Sequence, residues 1–534
     1  MREFGRFGPL VGAIDEGTSS VRFLVFAANT SEVLTYHQIS LKRFSPQDGW
    51  VEQDASEILQ STIECIEVTA DNLRTLDIDP DDIVGIGITN QRETTIVWDS
   101  KTGTPLYSAI VWLDVRTCKI VDELIEKKGL PNANAVARTS GLPLSTYFSS
   151  VKLKWLLTNI PAVKEAVKAG TCMAGTVDSW LIWNLTGGCH GGVHVTDVSN
   201  ASRTQLMSLR SLQWDSRLLR YFEIPLEILP KIKSSAEIYG YISSGALTGM
   251  PIAGCLGDQQ AALLGQNCVK FGQAKCTYGT GCFLLFNTGD SIVHSQNGLA
   301  TTVAFKLGPD ARPVYALEGS VAVAGDSLQW LKDNLELKDD MQELEVQAEH
   351  ASEEGNVYFV PAFTGLYAPH WRKDARGIIC GLNGSTRPEH MVRAALESVC
   401  HQVRAVAEAI AADCMPLKVL LADGGMAQNN YLMQTQADLL GIRVIRPLMS
   451  ESTALGAAAA AGRALRVWPP SLPLPPSDVF QPSTTDDGKF PMNELNKFYA
   501  AYYQSQDPIS ALPPSLFFLG TTLLIILADK LKPL

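Results

Sequence analysis

The chain has 534 residues, 46% hydrophobic and 19% charged, and its 56 Asp and Glu against 44 Lys and Arg give a formal net charge of −12. That composition excludes a disordered chain, the length predicts at least two domains, and an acidic balance without any Lys/Arg run argues against a nucleic-acid partner. Eleven scattered cysteines, with no CxxC pair and no metal-like spacing, speak against zinc and disulfide frameworks and for a reducing, cytoplasmic setting.

Met1-Arg2-Glu3-Phe4-Gly5 opens no apolar segment, so no secretory signal is expected. The first organised stretch is Leu10 to Phe26, in which two apolar runs flank Gly17-Thr18-Ser19-Ser20. It predicts strand, tight turn, strand. Such a turn offers backbone N–H groups and hydroxyls to phosphate oxygens, and Asp15, closing a buried strand, is placed to hold a divalent cation beside them. A single Asp-x-Gly-Thr match is more often an ordinary hairpin. Its recurrence further along changes that balance.

Val33 to Leu41 predicts a third strand, Asp54-Ala55-Ser56-Glu57 a capped helix reaching Leu76, and Ile83 to Thr89 a strand that delivers Asn90-Gln91-Arg92-Glu93 to an edge. This succession describes a mixed sheet with a crossover helix, an α/β unit. Strands are expected at Thr94 to Asp99 and Ala109 to Leu113, a helix at Lys152 to Leu157, and strand then helix over Thr171 to Ile182. Pro251 to Leu256 is a buried strand ending in Gly257-Asp258-Gln259-Gln260, again an acid at a strand's carboxyl end, where open α/β sheets bind ligands.

The opening pattern returns at Lys275 to Phe286, where Tyr278-Gly279-Thr280-Gly281 forms the turn, followed by Thr301 to Leu307, a helix at Val321 to Leu335 and a strand at Asn356 to Pro361. Two hairpins opening similar successions predict a duplicated pair of domains. Over Glu389 to Ala412, Val392, Leu396, Val399, Val403, Val406 and Ile410 alternate by four and three, the stripe of a core-facing helix. Val419 to Ala422 is a strand ending in Asp423-Gly424-Gly425, with Asn429 and Asn430 at the next helix start. Ala454 to Gly462 must pack very closely on its sheet. The Pro-rich 468–482 and polar 483–489 predict a linker, and Ser515 to Ala528 is almost wholly apolar. As a helix those last residues would rise about 21 Å, short of the roughly 30 Å hydrocarbon core, which leaves a short tail anchor and a surface-packed helix as equal readings.

Asp15-x-Gly17-Thr18-Ser19-Ser20-x-Arg22, Asn90-Gln91-Arg92-Glu93-Thr94, Gly257-Asp258-Gln259-Gln260, Tyr278 to Phe283 and Asp423-Gly424-Gly425 together resemble the glycerol kinases of the sugar and polyol kinase family, over about residues 10 to 470. The resemblance implies an α/β fold of two actin-like, ribonuclease-H-like domains with the ligand cleft between them. Its expected division is 1–265, with glycerol and phosphate/metal contacts, 266–470, with the adenine nucleotide, and 471–534 as linker and apolar tail. The resemblance assigns glycerol to Arg92, Glu93, Tyr147, Asp258 and Gln259, with Trp112 and Phe283 against its carbons. Paired donors and acceptors suit a triol's hydroxyls and aromatic rings its CH surface. Read alone, Arg92-Glu93 is more readily a surface ion pair, and Trp112 and Phe283 core. ATP falls by resemblance on Thr18, Ser19, Ser20, Arg22, Thr280, Gly325, Gln329, Gly425 and Asn429, and Mg2+ on Asp15 and Asp258.

The implied reaction is ATP-dependent phosphorylation of glycerol to sn-glycerol 3-phosphate with Asp258 as catalytic base. Two residues depart from the family pattern: Glu16 stands where a Gln is expected, adding negative charge beside the first hairpin, and His370-Trp371 replaces Tyr-Trp. Animal members resemble this chain in an apolar C-terminal tail linked to docking on the outer mitochondrial membrane, which favours the anchor reading. A homo-oligomer is also implied. Two other readings stay open, a kinase for another small polyol or sugar and a non-catalytic ATP-binding member. A P-loop kinase is disfavoured, because the chain has no G-x-x-x-x-G-K-[ST].

Overall fold

The computed structural model describes residues 4–126, 133–335, 357–469 and 476–483, with isolated positions between 337 and 351. Leu10–Glu16 (β1) and Ser20–Ala27 (β2) form the opening hairpin, Asp15 opposite Arg22, and the Gly17 N–H closes the turn on the Ser20 carbonyl at 2.9 Å. Val33–Ser40 (β3) pairs with β2. Helix Ala55–Thr75 (α1), capped by the Asp54 side chain, then crosses over to Ile83–Asn90 (β4), parallel to β1. Ala236–Tyr241 (β5) and Pro251–Gly257 (β6) complete a six-stranded sheet in the order β5-β6-β4-β1-β2-β3. Asp258–Gly265 (α2) follows β6 directly.

One expectation is corrected here. β4 lies between β1 and β6, so Asn90-Gln91-Arg92-Glu93 emerges from the carboxyl end of a central strand rather than an edge, and none of the four is more than 2% exposed.

Ala274–Tyr278 (β7) and Cys282–Gly289 (β8) form the second hairpin, joined by Ala300–Phe305 (β9) and Val314–Val321 (β10). The helix expected from Val321 begins only at Gly325–Asn334 (α3). Tyr315-Ala-Leu-Glu-Gly-Ser reads as helix or loop by propensity, but its residues are buried between β8 and β9, and pairing overrides propensity. Pro388–Asp413 (α4) buries its predicted stripe completely. Val419–Asp423 (β11), Asn430–Leu440 (α5), Arg443–Pro447 (β12), Ser452–Ala464 (α6) and Ser477–Phe480 (β13) follow. The second sheet runs β9-β10-β8-β7-β11-β12-β13.

Taken from opposite ends, β5-β6-β4-β1-β2-β3 and β13-β12-β11-β7-β8-β10 have the same sequence of parallel and antiparallel pairings, with β9 added to the second. The duplicated pair inferred from two Gly-Thr hairpins is therefore present. Two stretches sit differently from their sequence reading. Ser477–Phe480, within the expected linker, is a strand on the outer edge of the second sheet, where flanking prolines are tolerated. The Ala/Gly helix α6, in the stretch assigned to the second domain, packs on the first sheet, with Val11, Ala13 and Ala253 in one cluster with its alanines.

That contact is as close as its composition predicts. A Cβ on Gly87 would lie 2.2 Å from the Ala457 carbonyl oxygen, backbone that cannot step aside. Gly87→Ala is expected to cost at least about 1–3 kcal/mol through overpacking, read as a lower urea midpoint at unchanged slope. Among the described residues no helix is long and apolar enough to cross a membrane, and the apolar run 515–528 lies outside them.

Candidate active-site cleft

A cavity of about 530 Å³ lies between the two sheets, bordered by both Gly-Thr hairpins and by residues at the carboxyl ends of β1, β6 and β11. This follows from the topology: parallel neighbours β4, β1, β6 and β7, β11 end on the same side, so the loops after them converge.

The most ordered part of the cleft is a buried square of charge. Arg92 donates through both terminal nitrogens to Glu318, at 2.6 and 2.8 Å, and Arg203 Nε donates to Glu93 Oε1 at 2.6 Å. Arg203 Nη2 lies 3.2 Å from Glu318 Oε1, so three contacts join the four corners in line, Arg92 to Glu318 to Arg203 to Glu93. All four side chains are at most 2% exposed. Burial opposes ionisation of Glu318, yet Arg203 and Arg92 hold its carboxyl down at about 2. Arg92 and Glu93 are therefore neither a surface ion pair nor each other's partner. Each is fixed by a group outside the motif, and Glu93 is further set by a φ of +60°, a strained conformation for a non-glycine residue that surrounding structure must impose.

Arg92 reaches onward from this square. Its Nη2 donates to the Tyr147 hydroxyl at 3.3 Å and its Nε lies 3.2 Å from Asp258 Oδ1. Asp258 opens α2, accepts the Gln259 backbone N–H at 2.7 Å and keeps 24% of its side chain open to the cavity. Burial raises its pKa, against Arg92 and Lys275. Trp112, with Tyr147 at 5.7 Å and Phe283 at 5.5 Å between ring centroids, walls this end of the cavity. The Trp112 indole N–H donates to Thr18 Oγ1 at 2.9 Å, which ties the aromatic wall to the first hairpin.

On the hairpin side, Asp15 is 6% exposed. Burial raises its pKa to about 6, Arg22 opposing and Glu451, Asp258 and Asp423 adding to the rise. Arg22 Nη1 donates to Glu451 at 2.6 Å, so this cation is shared between hairpin and α6 N-terminus. Asp423 is 5% exposed, and neither of its carboxylate oxygens has a hydrogen-bond partner among the described residues.

Glu16 does not border the cavity. It is fully buried, accepts the Gln91 side-chain N–H at 2.9 Å, and its pKa is driven well above the ordinary value by burial, with Gln91 opposing. Gln91 also donates to Gln53 at 2.8 Å, whose own amide holds the Thr18 carbonyl at 3.0 Å. Gln keeps the side-chain oxygen that accepts from Gln91 and the position lies off the cavity, so Glu16→Gln is expected to leave kcat and nucleotide affinity within about twofold, as measured by steady-state kinetics and calorimetry.

Most residues expected at the site border the cavity: Asp15, Thr18, Ser19, Ser20, Arg22, Arg92, Glu93, Trp112, Tyr147, Asp258, Gln259, Thr280, Phe283 and Gly425. Three do not. Gln329 donates to Asp333 one turn along α3, and Asn429 is spent capping α5 on the Leu432 N–H at 2.8 Å. Gly325 supports the second hairpin from behind, donating to the Gly279 carbonyl at 2.9 Å. The sequence reading missed Glu318, Arg203, Asp423 and Lys275. Asp423 and Lys275 lie in stretches singled out for other residues and Glu318 just before the helix expected at Val321, whereas nothing local marks Arg203.

Residues 10–265 match the FGGY family of carbohydrate kinases, N-terminal domain, and residues 274–465 its C-terminal domain. A probable glycerol kinase of Dictyostelium discoideum is 48% identical over 93% of this chain and 98% of its own length. A glycerol kinase of Pseudarthrobacter chlorophenolicus is 52% identical over 85% of this chain and 89% of its own. Among solved structures, Plasmodium falciparum glycerol kinase with ADP superposes with a TM-score of 0.80 at 36% identity, covering 95% of this chain and 99% of that one. A ligand-bound xylulose kinase from Lactobacillus acidophilus, at 21% identity over 94% of this chain and 97% of that one, shares the fold with a TM-score of 0.76.

Proposed function

The chain belongs to the FGGY family of carbohydrate kinases, and from that premise we propose that it transfers the γ-phosphoryl group of ATP to a terminal hydroxyl of glycerol, giving sn-glycerol 3-phosphate. One observation carries this reading most directly. A single cavity sets Asp258 between the Arg92, Glu93 and Tyr147 face with its aromatic wall and the two Gly-Thr hairpins.

The residues divide the work by their chemistry. Arg92, Tyr147 and Gln259 offer donors and Glu93 an acceptor to the hydroxyls, while Trp112 and Phe283 cover the carbons. Asp258 receives the proton of the attacking hydroxyl. Its raised pKa makes it a stronger base than a free Asp, and the Arg92 Nε and Gln259 N–H contacts fix its direction. A loose phosphoryl-transfer transition state needs little advance activation of the nucleophile, so positioning carries most of the rate. The N–H groups and hydroxyls of Thr18, Ser19, Ser20 and Thr280 face the phosphates, and Arg22 offsets charge developing on them.

The donor set fits Mg2+, since Asp15 and Asp258 bring hard oxygens to the hairpins and the Asp423 carboxylate, without a hydrogen-bond partner among the described residues, borders the same cavity. Bound there with the nucleotide, the ion would neutralise phosphate charge.

The test is the ratio of kcat/KM for glycerol to that for D-xylulose in an ADP-coupled assay. Glycerol is expected to be strongly preferred. Preference for the pentulose would establish a sugar kinase instead, and ATP binding without turnover of either would establish a non-catalytic member.

A further inference from the structure

The two carboxylates assigned to the metal, Asp15 and Asp258, come from the first half of the molecule, and Asp423, which borders the same cavity, comes from the second. Asp423 ends β11, in register with Thr277 of β7, which also borders the cavity. Its position is rigid. The following Gly424 has φ +91°, and a Cβ there would stand 2.4 Å from the Tyr278 carbonyl oxygen, so the strand end is pressed against the second hairpin. The Lys275 ammonium, on the same strand as Thr277, donates to Gln259 Oε1 and Thr277 Oγ1 and not to Asp423. Both Asp423 oxygens are buried and have no hydrogen-bond partner among the described residues.

A buried carboxylate left in this state is costly. Hydrogen bonds from the protein do not relieve it. A hard divalent cation in the cavity would, because it favours carboxylate oxygens and their hydration water and its charge offsets that of the acids bordering the cavity.

Resting on the kinase reading above, we propose that Asp423 is a third carboxylate of the nucleotide-associated divalent cation, reaching it through bound water, so that the ion joins the two halves of the molecule. The two hairpins then meet over one ion held from both sides, and cation binding is coupled to how the halves sit together.

The experiment is Mn2+ titration of the ADP-bound protein, followed by electron paramagnetic resonance, in the full chain and in Asp423→Asn. The expected result is at least a tenfold loss of Mn2+ affinity with glycerol affinity unchanged. Without metal, Asp423→Asn should melt at or above the parent, because an unpaired buried charge is gone, and this advantage should shrink or reverse when Mn2+ and ADP are added. Should the Asn variant not fold, Asp423→Glu is read the same way, its misplaced carboxylate weakening Mn2+ binding. Mn2+ affinity within twofold of the parent in either folded variant overturns the proposal and leaves Asp423 facing ordered water only. Because metal binding is read without turnover, a parent protein that fails to phosphorylate glycerol unseats the kinase reading alone.

Discussion

Asp258→Asn lowers kcat for glycerol phosphorylation by about 10²–10⁴-fold, the usual contribution of a positioned general base, while nucleotide and glycerol dissociation constants stay within a few-fold. The substitution is isosteric, and the side-chain oxygen facing Arg92 Nε can keep its 3.2 Å contact, so the glycerol face keeps its form. What is lost is the ability to accept a proton. Steady-state kinetics paired with calorimetric binding of ADP and glycerol separates the two effects. A fall of less than tenfold would mean that the hydroxyl proton passes to the phosphoryl oxygens themselves, leaving Asp258 a positioning residue.

Glu318→Gln is expected to have the largest effect on stability. Glu318 is fully buried and neutralises two buried guanidinium groups, Arg92 and Arg203. Removing one member of such a network leaves uncompensated charge in the interior, at a cost of about 3–5 kcal/mol. Because Arg92 also contacts Tyr147 and Asp258, the same change should raise KM for glycerol more than KM for ATP. The double variant Glu318→Gln with Arg203→Gln removes one charge of each sign, leaving Arg92 and Glu93 to balance, and should be less destabilised than the sum of its single changes. Urea unfolding of the four proteins gives the cycle directly. Additive losses would show that the square does not act as a unit.

The two hairpins, the duplicated strand order and the stripe of α4 were legible because their signals are local: turn residues between alternating apolar runs, and a four-three spacing. The charge square was not. Arg92 and Glu318 are 226 positions apart and Arg203 and Glu93 are 110 apart, and no local pattern in the sequence joins such pairs. The same limit explains α6. Its Ala and Gly content announced a close approach, whereas the sheet it approaches, on the other side of the duplication, is a property of the tertiary arrangement. β10 was hidden for a different reason, since its Ala, Leu and Glu favour helix by propensity while both faces are buried by pairing and packing. Gln329 and Asn429, both assigned from motifs, sit differently. A motif marks a position, but here the Asn429 side chain caps a helix and Gln329 pairs within one, and neither borders the cavity.

The most direct test is phosphorus NMR of the protein incubated with ATP, Mg2+ and glycerol. The account predicts that ATP signals give way to ADP and to a phosphomonoester resonance matching sn-glycerol 3-phosphate, with little inorganic phosphate. ADP formed together with inorganic phosphate alone, or ATP left intact by a protein that binds it, would contradict it.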